Sequence, residues 1–175
     1  MNEKANDWFQ RGLKNNVLGL YPEAAADYSK AIEIDPSFAD AYLKRGVLRY
    51  KLLKKYEESF GDFNKVVELD PACSAGYLYR GIVKCHLLQF SDALPDFDRA
   101  IELDPNEERA YLNRGKSKYM LKYDKEEVCA DLKRAVRLHS TTAADLMNLF
   151  YGDNKEPVQE AIISAVEEKA KKKFR

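Results

Sequence analysis

The side chains best suited to nucleophilic, acid–base or metal chemistry in this sequence are two histidines, His86 and His139, and three cysteines, Cys73, Cys85 and Cys129. Their placement argues against each of those uses. Acid–base and nucleophilic catalysis need groups that converge on one reacting atom, and the two histidines fall in different repeats of the chain. His86 directly follows Cys85, and neighbours on a helix point about 100° apart, so the two cannot act together on one atom. There is no Walker-type phosphate loop, no HExxH zinc motif and no GxSxG nucleophile elbow. An odd number of cysteines without a close pair suggests neither a disulfide framework nor a zinc ligand set, and fits small helix residues in a reducing compartment. The expectation is a non-enzyme with no cofactor and no bound metal.

Two other polar residues recur with a regularity that asks for a different explanation. Arg-Gly stands at Arg11-Gly12, Arg45-Gly46, Arg80-Gly81 and Arg114-Gly115, and an aspartate of matching period stands at Asp27, Asp62, Asp96 and Asp131. A guanidinium can bond a carboxylate through two parallel N–H donors. The repetition therefore predicts structural pairs between the arginines Arg11, Arg45, Arg80 and Arg114 and the aspartates Asp27, Asp62, Asp96 and Asp131, each guanidinium bridging helices to the carboxylate of its own or the preceding unit. The alternative is a ladder of arginines that binds anions. Four aspartates of the same period favour pairing.

The elements that would position these residues follow from the repeat itself. The segments NDWFQRGLKNN, DAYLKRGVLRY, AGYLYRGIVKC and RAYLNRGKSKY align, with glycines 34, 35 and 34 residues apart. Each is followed by one of AADYSKAIEIDP, FGDFNKVVELDP, LPDFDRAIELDP and CADLKRAVRLHS, whose aspartates are 35, 34 and 35 apart. The period is thus 34 residues, with one residue added between the two segments of the second and fourth units, where a turn is expected to absorb it. Apolar residues recur at intervals of three and four in both segments, as in Tyr42, Leu43, Gly46, Val47 and Tyr50, so each unit reads as a helical hairpin. Asp35-Pro36, Asp70-Pro71 and Asp104-Pro105 end the second helices, because proline disfavours helical geometry in the residue before it. Pro95 lies within a second helix, and with Ser91 as N-cap it would sit in the first turn.

A 34-residue helix-turn-helix with an aromatic at repeat position 4 (Trp8, Tyr42, Tyr77, Tyr111), glycine at 8 and proline at 32 resembles the tetratricopeptide repeat. Small residues at positions 20 and 27 fit as well: Ala24 and Ala31, Ser59, Ala93 and Ala100, Ala135. The resemblance covers about residues 5 to 139. It implies an all-α, right-handed α-solenoid with repeats at 5–38, 39–73, 74–107 and 108–140, followed by capping helices over 141–175. Position 7, usually a buried leucine in that family, is the arginine of every unit here.

The resemblance also implies an inner wall built from the first helices, a groove for a peptide or helix of another polypeptide. Its candidates are Phe9 and Leu13 in the first repeat, Leu43, Lys44, Val47 and Tyr50 in the second, Leu78, Tyr79 and Ile82 in the third, and Leu112, Asn113, Lys116 and Tyr119 in the fourth. Apolar strips of this kind mark interaction sites, although position 5 is also a natural packing position. Some family members grip the terminal carboxylate of chaperone peptides with a lysine- and asparagine-rich clamp. Starting at the first repeat, those positions hold Phe9, Leu13, Lys44, Ala75 and Tyr79; starting at the second, they hold Leu43, Val47, Tyr79, Arg109 and Asn113. Neither preserves the clamp.

Lys plus Arg and Asp plus Glu both total 29, so the chain as a whole exerts little pull on nucleic acid or an anionic membrane. No apolar run approaches the roughly 20 residues that span a bilayer, and MNEKANDWFQ lacks a signal-peptide core. A cytoplasmic adaptor or scaffold that binds neither nucleic acid nor membrane is expected. Beyond the repeats, Thr142 and Asp145 fit a capping box, and Gly152-Asp153-Asn154 marks a turn. Pro157 then opens an amphipathic segment with Val158, Ala161, Ile162, Ala165 and Val166 on one face. This segment reads as a cap, or alternatively as a self-association helix giving a homo-oligomer and a self-assembling scaffold. The basic run from Lys169 to Arg175 reads as a solvated helix end.

Overall fold

The computed structural model describes residues 2–151. The chain divides into two compact units, Met1–Leu88 and Gln89–Arg175. The first holds α1 (Glu3–Val17), α2 (Tyr21–Ile34), α3 (Ala39–Leu48), which runs on into a π-helical turn at Arg49–Leu53, α4 (Tyr56–Leu69) and α5 (Ser74–His86). The second holds α6 (Phe90–Leu103), α7 (Glu108–Met120), α8 (Lys125–Arg137) and α9 (Thr141–Tyr151). Among the described residues there is no strand, and the protein is all-α. The segment expected to cap the array or self-associate, with Pro157 and the basic run, lies outside the described residues.

Short polar signals set the helix ends. Asp35, Asp70 and Asp104 are the C-caps of α2, α4 and α6, and each holds extended backbone as the following proline requires. Their carboxylates then accept the backbone N–H two residues on, from Ser37 at 3.1 Å, Ala72 at 3.0 Å and Asn106 at 3.0 Å. Each Asp-Pro is therefore an Asx-type turn that tightens the link to the next hairpin. The first helices stop differently, through a left-handed residue: Gly19, Lys54, Leu88 and Lys122 all have φ between 56° and 77°. Where the fourth unit lacks its proline, His139 at φ 77° closes α8 in the same manner. The Ser140 N–H bonds the Ala135 carbonyl and the His139 N–H that of Val136, a Schellman pair.

Three local expectations are corrected. The residue added in the second unit does not lengthen the turn. It is taken up inside the first helix as the π-helical turn Arg49–Leu53, leaving only Lys54 and Lys55 before α4, since a one-residue insertion is what a π-turn accommodates. In the fourth unit the added residue does enter the turn, which runs over 121–124. α6 starts at Phe90 with Gln89 as N-cap, so Pro95 sits in the second turn. Its missing N–H falls opposite the Ser91 carbonyl, and both residues are exposed, so the lost helical bond is replaced by solvent. The cap of α9 is Ser140, whose hydroxyl accepts from the Ala143 N–H at 3.4 Å, rather than Thr142.

Each unit has its own core. In the first, Ala5, Phe9, Ala24, Tyr28, Ala31, Phe38, Ala41 and Leu48 interlock, with Trp8, Leu13 and Tyr42 packed against them. In the second, Val128, Leu132, Ala135 and Val136 of α8 meet Ala143, Ala144 and Met147 of α9. The repeat glycines permit the close crossing inside a hairpin. A methyl group at Gly12 would lie 2.7 Å from the Tyr28 ring, and one at Gly46 would lie 2.8 Å from the Phe63 ring. No side chain fits there.

Candidate functional site

Asp27, Asp62 and Asp131 are buried, at 2%, 3% and 4% exposure. A carboxylate so far from water needs donors on most of its lone pairs. Arg11 donates to Asp27 through Nε at 3.0 Å and through Nη2. Arg45 donates to Asp62 through Nε at 3.2 Å and Nη2 at 2.6 Å. Arg114 reaches Asp131 through Nε at 3.0 Å and Nη2 at 2.5 Å. In all three cases the arginine belongs to the first helix and the aspartate to the second helix of the same hairpin. The hydrogen bond to Asp27 raises the Arg11 pKa above its ordinary value. Arg80 is on α5 in the first unit and Asp96 on α6 in the second.

Two further kinds of partner, not foreseen from the sequence, join these clusters. One turn after the arginine, a second donor reaches the same carboxylate: Asn15 Nδ2 to Asp27 at 2.7 Å, Arg49 Nη1 to Asp62 at 2.7 Å and Lys118 Nζ to Asp131 at 3.0 Å. The signal was present, since the residue four beyond each repeat arginine is always a nitrogen donor: Asn15, Arg49, Lys84 and Lys118. The remaining Nη1 of three arginines turns to the second helix of the preceding hairpin. Arg45 meets Ser29 Oγ at 2.9 Å, Arg80 meets Asn64 Oδ1 at 3.3 Å and Arg114 meets Asp98 Oδ1 at 2.6 Å. Each guanidinium also lies over the aromatic ring three residues earlier, 4.0 Å from Trp8 for Arg11 and 5.3–5.6 Å from Tyr42, Tyr77 and Tyr111 for the others.

The residues expected on the inner wall separate into two groups. Phe9, Leu78, Tyr79 and Ile82 are buried at 8%, 0%, 8% and 8% exposure, which removes them as ligand contacts. Phe9 packs between Phe38, with centroids 4.8 Å apart, and Tyr28 at 5.7 Å, while the Tyr79 ring stacks on Phe63 at 5.5 Å. These are packing positions between successive helices, and their apolar character serves the core. Leu13, Leu43, Val47 and Tyr50 are half-buried and Lys44 is exposed, all in the first unit. In the second unit Leu112 and Asn113 are half-buried and Lys116 is exposed. Leu112 leans on the core of α8 and α9, and Asn113 donates to the Arg109 carbonyl at 2.7 Å. Tyr119 stacks face to face on Phe150 of α9, 3.7 Å between centroids.

Within the first unit, an aromatic cluster grows from the π-turn. The Tyr50 hydroxyl lies 3.1 Å from His86 Nε2, the His86 ring stacks on Tyr56 at 4.9 Å, and Lys51 Nζ sits 5.4 Å from the Tyr79 centroid. Lys44 and Lys51 form no ion pair with any described residue. The three cysteines are free thiols, and burial pushes the Cys73 and Cys129 pKa values up, away from reactive thiolates. Among the described residues no cluster of three or more His, Cys, Asp or Glu could hold a metal ion, and no helix is long and apolar enough to cross a membrane.

Comparison with known proteins is decisive for the family. A "TPR repeat" model matches residues 18–52 and a "Tetratricopeptide repeat" model matches residues 39–73. The first TPR of Spaghetti (RPAP3), solved with the HSP90 peptide SRMEEVD, is 28% identical, with 70% of this chain and 96% of that one covered and a TM-score of 0.67. This is a tetratricopeptide-repeat protein. The second TPR domain of human RPAP3, in complex with the HSP70 peptide SGPTIEEVD, is 27% identical over 66% of this chain and 96% of its own, with a TM-score of 0.63. MamA from Desulfovibrio magneticus RS-1 matches over 95% of this tetratricopeptide-repeat chain and 96% of its own, at a TM-score of 0.78 and 21% identity, a likeness of fold alone. No curated protein sequence gives a significant match.

Proposed function

We propose that this tetratricopeptide-repeat protein is a non-catalytic interaction module that receives a peptide or helix of another protein on the first-helix wall of its first unit. The observation that carries this reading is the composition of that wall. Leu43, Val47 and Tyr50 are partly open beside Lys44 and Lys51, two exposed cations with no described ion pair. Apolar anchors flanked by unspent charge suit a segment with an apolar side chain and acidic neighbours. The peptide complexes of the RPAP3 domains support polypeptide binding as the general role. The residues at the clamp positions, Phe9, Leu13, Lys44, Ala75 and Tyr79, lack the set that grips a terminal carboxylate, so an internal segment fits this wall better than a chain end.

The test is a peptide-display selection on the immobilised 175-residue chain, repeated on a Lys44→Glu/Lys51→Glu variant. Enriched peptides with acidic residues around an apolar anchor, lost on the variant at unchanged helical signal, are the expected outcome. Peptides that bind both chains equally would remove the wall from the account. Leu78→Glu is unsuitable as a probe, because Leu78 is fully buried and its change would unfold the unit.

A further inference from the structure

The third donor of the repeat arginines follows a rule with one opening in it. The Nη1 groups of Arg45, Arg80 and Arg114 bond Ser29, Asn64 and Asp98. Each acceptor stands two residues beyond the repeat aspartate, at Asp27, Asp62 and Asp96, on the second helix of the hairpin before. At the same place in the fourth repeat, two beyond Asp131, the residue is Lys133, and α9, which follows, contains no arginine. Acceptor and arginine therefore occur together and disappear together.

Arg11 is the exception. Its Nε and Nη2 hold Asp27, but its Nη1 bonds no described residue. Its side chain is 56% exposed, against 13% for Arg45 and 20% for Arg114. The guanidinium is already fixed in place by the buried carboxylate and lies 4.0 Å over the half-buried Trp8 ring. A donor held this rigidly loses little freedom when it takes an acceptor.

We infer that the outer face of α1 around Trp8 and Arg11 is a second docking surface, separate from the inner wall. It fits a helix of another protein that presents Asp or Asn to the open Arg11 donor, as Asp98 and Asn64 do for Arg114 and Arg80. A second copy of this chain stacked head to tail offers no such acceptor, because its last second helix, α8, is already packed against its own α9 and carries Lys133 at the acceptor place. Asp7, exposed one turn before Arg11, adds a further reason for a single, well-placed acceptor over a broadly acidic surface.

Trp8 is the sole tryptophan of the chain and reports on this face directly. The probe is a stapled helical copy of residues 90–103, which carries Asp98 and no tryptophan. Titrated into the full chain, it should change Trp8 emission saturably, and Asp98→Lys in the probe should weaken binding about tenfold or more, the scale of one lost charge-assisted hydrogen bond. Asp98→Asn in the probe should bind within a few-fold of the parent, as the Asn64 precedent implies. Arg11→Met in the chain should match the loss, while the probe substitution leaves the chain untouched and so separates docking from folding. No saturable emission change, or equal affinity for the Asp98→Lys probe, overturns the inference. A Trp8 shift with protein concentration alone, accompanied by a doubled mass in sedimentation, would give the face to a second copy and overturn it as well.

Discussion

At the scale of single residues, the arginine–aspartate clusters decide more than any other feature. Asp62 is buried and receives Arg45 and Arg49 together. Arg45→Met leaves that carboxylate short of donors and should cost about 3 kcal/mol in a urea melt. Adding Asp62→Leu should recover most of the loss, because an apolar pair needs no donors. Tyr28 gives the opposite case: its hydroxyl is fully buried and, among the described residues, the one buried side-chain polar atom without a hydrogen bond. Tyr28→Phe should therefore stabilise the chain by about 1 kcal/mol. Burial, then the nearby Asp27 charge, raise its pKa from 10.0 to about 12. The unfolded chain thus loses this proton first on going alkaline. The stability it contributes is intact below the unfolded pKa and is lost as pH rises through the folded one. Denaturant melts across that range should fall more steeply for the parent than for Tyr28→Phe. The repeat arginines and aspartates were legible in the sequence because both partners recur at one period. The second donor shows in the sequence only as a recurring nitrogen donor of changing type, Asn15, Arg49 and Lys118, and the acceptors Ser29, Asn64 and Asp98 of the preceding hairpin differ in type as well, so geometry is what shows that each set plays one role.

At the scale of elements, helix packing sets two further expectations. The Phe63 ring lies 2.8 Å from a methyl at Gly46, with the Asp62 Cβ at 3.1 Å, and Phe63 is fully buried, so nothing yields cheaply. Gly46→Ala should cost about 1–3 kcal/mol despite the better helix propensity of alanine, measured by thermal or urea unfolding. Lys122 holds a left-handed conformation at the end of α7, at φ 60°. Lys122→Gly should relieve that and add about 0.5–1 kcal/mol, read in the same melt. Helix order and the Asp-Pro stops were visible in the sequence, since proline and glycine act locally. The π-turn was not: an insertion of one residue reads the same whether a loop or a helix absorbs it. Arg49 bonds Asp62 at 2.7 Å from within the π-turn, and in the fourth unit Lys118 makes the corresponding contact to Asp131 at 3.0 Å from an α-helix followed by a four-residue turn, so the two insertions are absorbed differently around one shared contact.

At the scale of the molecule, each unit has a buried apolar cluster of its own. Phe9, Leu78, Tyr79 and Ile82 read as groove residues in the sequence because an inner-wall position and a packing position share one helix register; burial separates them. What remains at least partly open on that wall in the first unit is a narrower strip, Leu43, Lys44, Val47, Tyr50 and Lys51. On the proposed reading, Lys44 and Lys51 are left for a partner while Arg45 and Arg49 beside them are spent on buried Asp62. The measurement that tests this division most directly is the affinity of one display-selected peptide for the full chain, for Lys44→Glu/Lys51→Glu and for Arg45→Met, well below the melting point of each. Affinity should fall by about tenfold or more for the lysine variant and be kept for Arg45→Met. Affinity kept by the lysine variant and lost with Arg45→Met, while that variant remains folded, would contradict this division.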